Sequence, residues 1–407
     1  MNSFWSLVGY EYKKILHKRS VQIILLLAAI VTAVSVCGTL LGNYYIDGKV
    51  YESNYDAAMK DRSYARSLAG REINSELILE AANAYAQIPE TDRYIDTPEY
   101  ETYARKYSQI YNNIRAIYNT NSNRVINMAD FKILTADQAG HLYQIRRERQ
   151  IQNMKGMKIS NKAKEELLAL DTQIKTPFTF SYTDGYTRFF SIMITIGLLA
   201  AFVMAVLISP LFAGEYTSGA DQLILAAKHG KHKLIHAKLF TGFSLAAALF
   251  LMLVLLSYIL TMLIFGSDGR NAPLQLYYAM SPYPFTMGQT ALLLSACAFF
   301  ACLLTASVTM LLSAKFKSPF GVIILISLLL VAPMFISISD HTSVLLIKLY
   351  NLLPANMMSF GSVIDGIPYE FFGFVFLPYQ FLPLFAIAIT ILLTPFAYRV
   401  FKRHQIS

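Results

Sequence analysis

The sequence has few charged residues for its length. Only 15% of its 407 residues are Asp, Glu, Lys or Arg, whereas soluble domains are nearer a quarter charged. The charges are also bunched, so that long stretches carry none, and the mean hydropathy is +0.42. A stretch of about 18 or more uncharged apolar residues is typical of a membrane-spanning helix. The scarcity of charge therefore argues against a soluble globular protein.

Six stretches meet this description, and none has a Lys or Arg near its centre. One such charge would cost about 2.5–3.5 kcal/mol on insertion. We therefore predict an all-α membrane protein with six transmembrane helices and one large polar domain, 43–185, between the first two. The predicted spans are Val21–Gly42, Phe189–Gly214, Leu239–Gly266, Met287–Leu312, Pro319–Ser339 and Leu377–Tyr398.

Cysteine is also scarce. The three cysteines, Cys37, Cys297 and Cys302, all fall inside predicted spans. The polar domain has none, so no disulfide framework supports it. We interpret the three as small buried apolar residues.

Motifs for catalysis and nucleotide binding are missing. Gly230-Lys231 lacks the upstream glycine and the following Ser or Thr of a P-loop, and H-E-x-x-H, G-x-S-x-G and C-x-x-C do not occur. No span carries an ionisable residue at its centre, as ion-driven carriers and pumps usually need. We therefore expect no enzyme activity and no cofactor in this chain, and an energy source elsewhere.

Three histidines, His229, His232 and His236, share one helical face. Such spacing could ligate a metal. No carboxylate or cysteine completes the set nearby, so we favour a basic helix that contacts lipid headgroups or a partner and predict no metal site.

The distribution of Lys and Arg predicts the orientation. With a cytoplasmic N-terminus, the inner segments hold 13 Lys and Arg and the two short outer loops hold 2. Both termini are then cytoplasmic and residues 43–185 are extracellular. That domain has 19 basic and 19 acidic residues, so the net charge of +9 lies at the inner rim of the spans, and we expect no nucleic-acid partner.

The polar domain has a helical pattern. Tyr100, Tyr103, Tyr107 and Tyr111 recur at helical spacing after Thr97-Pro98, an N-cap followed by a first-turn proline. Further helices are expected near 52–86, 136–155 and 160–174, the last with Ser160 as N-cap. The tyrosines form either a core and interface stripe or an aromatic surface that grips a peptide or glycan. We favour the first interpretation.

Residues 3–19 predict an amphipathic helix. Phe4, Trp5 and other apolar residues lie on one side, and Lys13 and Lys14 are among its charges. This pattern is typical of a helix lying along the inner leaflet before the first span.

A second segment, 214–238, follows the second span. Together the two segments make the chain similar to the type-2 permease family of ATP-binding-cassette exporters. The outer segment 340–376, with Leu353-Pro354, resembles the re-entrant outer hairpin of that family, and the six-span order agrees. The matching positions, which begin just before the second segment, are Phe212, Glu215, Gly219, Leu223, Leu225 and Lys238.

The resemblance implies that residues 214–233 form a coupling helix that docks on a separate ATPase subunit. The residues expected at that joint are Glu215, Gly219, Asp221, Leu223 and Lys228. An alternative for Glu215 is a solvated acid at the membrane surface, where the helix ends.

The expected partners are the ATPase, which would hold ATP and Mg, a second copy or a sister permease, and membrane lipids. The expected location is a bacterial cytoplasmic membrane. Family members with a large domain after the first span include permeases for antimicrobial-peptide export or resistance.

The resemblance thus implies outward movement of a peptide, lipid or amphipathic drug through a path between two permease copies. A second hypothesis is a sensor or resistance component whose outer domain binds a peptide or drug without moving it. A third, a membrane enzyme acting on lipid or cell-wall precursors, lacks a cluster of acids or histidines near the membrane.

Overall fold

The computed structural model describes residues 3–91, 93–119, 127–220, 230–336, 338 and 342–403, and most of them are helical. The described helices are α1 (Ser3–Leu16), α2 (Arg19–Cys37), α3 (Asn54–Leu68), α4 (Ser75–Ala86), α5 (Ser108–Tyr118), α6 (Met128–Lys132), α7 (Ala136–Gly140), α8 (Leu142–Gly156), α9 (Asn161–Asp171), α10 (Asp184–Ile208), α11 (Pro210–Ser218), α12 (Ile235–Phe265), α13 (Met287–Lys315), α14 (Pro319–Val331), α15 (Val344–Asn351), α16 (Phe360–Val363) and α17 (Pro378–Lys402).

Five helical segments in the described part of the chain are long and apolar enough to cross a membrane, which agrees with the predicted class of all-α membrane protein. The fifth predicted span is shorter: α14 continues only as a 3-10 turn, Ala332–Phe335. Its assignment as a span stays a prediction. The five long segments are Arg19–Leu40, Asp184–Ser218, His232–Phe265, Met287–Lys315 and Pro378–Lys402.

The chain divides into two compact units. The first unit is formed by Met1–Val36, Phe190–Leu260 and Leu292–Ser407, and the second by Cys37–Phe189 and Thr261–Ala291. The second unit thus contains the polar domain predicted from the sequence. It also contains the connection between α12 and α13, which the sequence did not assign to it.

Small residues line the helix contacts of the first unit. Ala201 and Ala205 in α10 and Ala298 and Ala301 in α13 have no exposed surface. In lipid the hydrophobic effect does not drive helices together, so their association depends on close packing. Small side chains allow the helix backbones to approach closely. A Cβ at Gly242 would clash with the Met310 sulfur, so α12 and α13 pack closely at this glycine.

Aromatic side chains fill the core of the second unit. The Tyr85 ring lies 4.7 Å from that of Tyr111 and 5.4 Å from that of Phe131, measured between centroids. Of the tyrosines predicted at helical spacing, Tyr100, Tyr107 and Tyr111 are buried, whereas Tyr103 is 49% exposed. The core interpretation is confirmed for the three buried members, and burial raises the pKa of Tyr100 to about 12.

Two predicted helix starts are confirmed. The Thr97 hydroxyl accepts a hydrogen bond from the Tyr100 amide at 3.2 Å, and the Ser160 hydroxyl caps α9 through the Ala163 amide at 3.1 Å. The helix after Thr97 is irregular, because a π turn over Tyr100–Ala104 precedes α5.

That irregular turn presents Arg105 to the interior. Its guanidinium pairs with Asp61 at 2.7 Å, Glu101 at 2.8 Å and Glu52 at 2.9 Å. Three carboxylates around one planar cation tie the turn to α3 and to the segment Lys49–Ser53.

Two β-hairpins were missed by the sequence analysis. Asn43–Ile46 (β1) pairs antiparallel with Lys49–Ser53 (β2), and Tyr369–Phe371 (β3) pairs with Phe374–Phe376 (β4). Asp47-Gly48 is a typical two-residue hairpin turn, so the first was predictable from its sequence.

The connection Thr261–Ala291 is held by buried polar side chains of the second unit. Arg146 of α8 donates to the carbonyls of Ala279 and Ser281, both at 2.8 Å, and Gln150 donates to the carbonyl of Met280 at 2.9 Å. Arg146 also pairs with Asp171 at 2.9 Å. These bonds satisfy a loop backbone that would otherwise be buried without partners.

Candidate functional site: a buried charge cluster

Four charged side chains meet in the first unit: Glu11, Lys14, Glu215 and Lys238, here called the charge cluster. The Lys238 ammonium lies 2.8 Å from Glu11 Oε1 and 2.5 Å from Glu215 Oε1, and donates to the Leu211 carbonyl at 3.0 Å. Lys14 pairs with the same oxygen of Glu215. One cation thus joins α1, α11 and α12.

The charge cluster is almost closed to solvent. Glu11, Glu215 and Lys238 are 3% exposed or less, and only Lys14, at 33%, reaches the surface. Two acids and two bases make it formally neutral, which limits the cost of burying it. Glu11 Oε2 and Thr241 Oγ1 are buried without a hydrogen-bond partner. The charges therefore balance, but two polar atoms lack partners, and removal of one of the three buried members would leave a buried charge uncompensated.

A break between α10 and α11 positions Glu215. Pro210 has no amide hydrogen to donate, and the chain restarts as α11 after Ser209. The Ser313 hydroxyl of α13 donates to the Ser209 carbonyl at 2.7 Å and accepts from the amides of Phe212 and Ala213 at 3.1 and 3.0 Å. A side chain from a neighbouring helix thus satisfies the broken turn, and the first turn of α11 is fixed.

The far end of α11 is fixed as well. Tyr216 donates to the Ala314 carbonyl at 2.8 Å and Thr217 to the Lys317 carbonyl at 3.0 Å. Gly219 follows as the C-cap in the left-handed conformation, with φ +69°, where a side chain would be strained. Gly219 thus ends α11 at a defined residue, and its contact with an ATPase stays a prediction.

Phe212, another position of the family resemblance, is fully buried and packs on Phe401 near the end of α17, with ring centroids 4.9 Å apart. The Tyr216 ring lies 5.6 Å from the same Phe401 ring. The last membrane-length helix therefore braces α11 from a second direction.

The N-terminal helix lies against α12. The rings of Phe4 and Trp5 contact the Phe240 ring, with centroids 6.2 and 5.5 Å apart, and the hydroxyls of Tyr12 and Ser244 are 2.5 Å apart. Val8 and Ile15 are buried, whereas Trp5 and Lys13 are exposed. Much of the apolar stripe of α1 is thus covered by protein, and its placement along a leaflet stays a prediction.

Two sequence interpretations need correction. The alternative that Glu215 is a solvated acid is wrong, because the carboxylate is buried and doubly paired. Lys238 was counted among the rim charges, but it has no exposed surface. Both charges lie where helices pack, and they are stable there because each finds an opposite charge.

In the predicted coupling loop 214–238, α11 extends to Ser218 and a π turn over Gly230–Leu234 leads directly into α12. Of the residues predicted to contact an ATPase, Asp221, Leu223 and Lys228 lie outside the described residues, as does Leu225. The structure brings Lys14 to Glu215 and places Gly219 one turn beyond.

Sequence reasoning missed Glu11 and gave Lys238 no specific role. A signal for Glu11 exists: it lies three residues after Val8 and four before Ile15, on the apolar stripe of α1. An acid on an apolar helix face requires a basic partner. Lys238, at the start of a long apolar run, was the available one.

The histidines are explained in part. His232 Nδ1 lies 2.9 Å from the Tyr398 hydroxyl, and the His236 ring lies 5.0 Å from the Tyr398 ring. Both therefore contact α17. His229 lies outside the described residues.

Comparison of the chain with protein-family models, with curated proteins and with solved structures gave no match.

Proposed function

We propose that this chain is the membrane permease subunit of an exporter whose ATP is hydrolysed by a separate subunit. The supporting sequence features are the six-span order, the positive-inside distribution, the lack of a P-loop and the lack of ionisable residues at the span centres. In this proposal both termini are cytoplasmic, and the polar domain is extracellular and handles the substrate.

The single observation that carries the proposal is the anchoring of the 219–229 connection at both ends. Its first end follows α11, which is held by a hydrogen bond from the Phe212 amide to Ser313 and by the ion pair between Glu215 and Lys238. The other enters α12, where Lys238 joins Glu215 to Glu11 of α1. A force applied to this connection would thus be transmitted to α1, α11 and α12 through the buried Lys238 ammonium.

This arrangement suggests how an ATPase could drive the spans. An ATPase that binds the 219–229 connection and closes on ATP would move α11 and α12 together, because their ends share the charge cluster. In the proposal the role of the charge cluster is mechanical, because three of its four side chains are almost closed to solvent. Such coupling between sites is typically worth about 1–3 kcal/mol, or 5- to 150-fold in an equilibrium.

The experiment is purification of the full chain with the ATPase that binds it, followed by measurement of ATP turnover in lipid vesicles. We expect Gly219→Leu to lower turnover, because leucine at φ +69° disturbs the end of α11. The matched control is Gly140→Leu, where the new side chain meets open space at ordinary backbone angles. Turnover that is the same in both variants, or a chain that binds no ATPase, would contradict the proposal.

A second candidate function is a sensor that binds a peptide or drug without moving it. Its supporting observation is a cleft of about 280 Å³ in the second unit, lined by Gln109, Asn112 and Asn113 of α5 and by the hydroxyls of Ser181, Thr183 and Thr187. Asp184 also lines it, and its carboxylate is paired with Arg188 at 2.7 Å. Carboxamides and hydroxyls suit a neutral polar ligand such as a peptide main chain. ATP-independent resistance in cells, lost in Asn112→Leu and kept in Gly219→Leu, would favour this candidate over the exporter.

A further inference from the structure

The hairpin Tyr369–Phe376, here called the aromatic hairpin, has a phenylalanine at an unusual position, the first residue of its turn. Phe372 has φ +49° and Gly373 φ +80°, and the Phe372 side chain is 100% exposed. A turn with two positive φ values favours Asn, Asp or Gly at its first position. The other hairpin of the described chain follows that rule with Asp47, at φ +48°. Phe372 is thus both strained and fully exposed, a combination found mainly at functional positions.

The exposed phenylalanines are held in place by a membrane-length helix. Phe381, in the first turn of α17, stacks against Tyr369 at 4.2 Å and Phe371 at 5.1 Å between ring centroids. The tip residues Phe371, Phe372 and Phe374 remain 44, 100 and 66% exposed. The hairpin is therefore fixed at the point where the apolar helix begins.

Neighbouring segments extend this apolar surface. The Tyr369 hydroxyl donates to the Lys348 carbonyl of α15 at 3.0 Å, and the Tyr350 hydroxyl donates to the Pro333 carbonyl at 3.0 Å. These bonds connect the hairpin to α15 and to the turn after α14. More than half of each of the following side chains there is exposed: Met334, Phe335, Ile336, Leu345, Leu346 and Leu349.

Charge is sparse in this region. Between residues 366 and 398 the sequence has one charged side chain, Glu370, and the Lys348 ammonium of α15 lies 5.9 Å from the centroid of the Tyr369 ring. The exposed surface continues down α17 through Leu384 and Ile391, which are 54 and 67% exposed. Aromatic side chains are enriched where a membrane helix meets the interface.

We propose that the tip of the aromatic hairpin, Phe371, Phe372 and Phe374, inserts into the lipid bilayer beside the first turn of α17. Lipid is the occupant because the tip continues the exposed apolar surface of a membrane-length helix. Two charged side chains, Glu370 and Lys348, lie at the hairpin, whereas a docking site for a soluble protein would have a full polar rim. The hairpin then fixes the depth of α17 in the bilayer. The inference requires membrane embedding but not the exporter function.

The experiment uses the single tryptophan of the chain. In a Trp5→Phe background, Phe372→Trp places the sole indole at the tip, and Tyr103→Trp places it at an exposed tyrosine of the second unit as a control. Each full-length variant is reconstituted in phosphatidylcholine vesicles with or without brominated acyl chains. We expect bromolipid to remove most of the emission of the Phe372→Trp variant and little of that of the control. The aqueous quencher acrylamide should give the reverse order.

A second reporter separates insertion from mere proximity. In a Trp5→Phe, Phe374→Trp background, Phe372→Asp copies the residue pair of the other hairpin, so the turn should still form. Bromolipid quenching should then fall, because a carboxylate at the tip opposes insertion.

Two results would overturn the proposal. One is stronger quenching of the Phe372→Trp variant by acrylamide than by bromolipid. The other is tip shielding that disappears as the lipid-to-protein ratio rises, since this would show that the tip is covered by a second copy of the chain.

Discussion

Lys238 in the first unit and Arg146 in the second are both deeply buried cations, and they are satisfied in different ways. Lys238 in the first unit binds two carboxylates and one carbonyl, and its partners come from α1 and α11. Arg146 in the second unit binds one carboxylate and two carbonyls of the connection Thr261–Ala291. The lysine therefore joins side chains of separate helices, whereas the arginine holds a loop backbone.

This difference suggests different roles. A planar guanidinium donates in a fixed fork, which suits a loop with one shape. An ammonium is a compact charge with rotatable donors, and it can keep contact with either carboxylate when the helices shift. We interpret the Arg146 site as a clamp and the charge cluster as a joint. The following predictions test this contrast, beginning with the largest expected effect.

Removal of the shared cation should have the largest effect. Lys238→Met leaves Glu11 and Glu215 buried, with only the half-exposed Lys14 remaining, and should destabilise the first unit by about 3–5 kcal/mol. Thermal unfolding of the purified protein in detergent would measure it. The triple variant Glu11→Gln, Glu215→Gln, Lys238→Met should recover much of the loss. An unchanged unfolding temperature in Lys238→Met would contradict the account of the charge cluster.

Replacement of the clamp by a lysine should have a smaller effect. Arg146→Lys keeps the charge beside Asp171 but cannot reach both carbonyls in the same fork, at a cost of about 1–3 kcal/mol. Hydrogen exchange should rise at the amides of residues 274–283 and stay unchanged in α4. Unaltered hydrogen exchange at residues 274–283 would contradict the interpretation of the Arg146 site as a clamp.

Acid should affect a more exposed pair of the second unit. The hydrogen bond from Arg71 lowers the pKa of Glu80, and the Tyr107 hydroxyl, which also donates to Glu80, has its pKa raised to about 12, chiefly by burial. The stability from Glu80 is fully present above its unfolded pKa of about 4.3, and it is lost as the pH falls through the lower folded pKa. Because both partners are more than a third exposed, we expect no more than about 1 kcal/mol.

The measurement is unfolding of the wild type and of Glu80→Gln between about pH 5 and pH 3. The difference between the two proteins should shrink as the pH falls. A constant difference would show that the pair contributes nothing through its charge.

The smallest effect on stability is expected at the solvent edge of the charge cluster. Lys14→Ala removes a half-exposed partner of Glu215 and should cost a few tenths of a kcal/mol up to about 1 kcal/mol. Lys13→Ala removes the same charge one residue away, at an exposed position, and is the control. Equal unfolding temperatures for the two variants would show that the pairing of Lys14 with Glu215 does not stabilise the protein.

Much of the fold could be predicted from the sequence because membrane helices need long uncharged runs. Starts such as Ser160 were predictable because a cap acts within three residues. The inclusion of Thr261–Ala291 in the second unit was not predictable, since it depends on Arg146 and Gln150 reaching carbonyls more than 120 residues away. Every residue has a backbone carbonyl, so the residue types do not reveal which carbonyls accept these hydrogen bonds.

The sequence singled out Glu215, Gly219 and Lys14 for other roles, as ATPase contacts and as an interfacial charge, and those roles stay predictions. Pairing across 201 residues, as between Lys14 and Glu215, cannot be deduced from local spacing. The burial of Lys238 was hidden because a lysine at the start of an apolar run fits a membrane rim equally well. The aromatic hairpin was missed because Phe372-Gly373 lacks the usual turn residues.

The central claim is that the charge cluster transmits movement from the 219–229 connection to the spans. The most direct test is substrate-dependent ATP turnover by the reconstituted complex carrying Glu215→Gln, which keeps the side-chain shape and removes the charge shared by Lys14 and Lys238. The account predicts that the ATPase remains bound while this turnover falls roughly tenfold. Turnover equal to that of the wild type, with the complex intact, would contradict it.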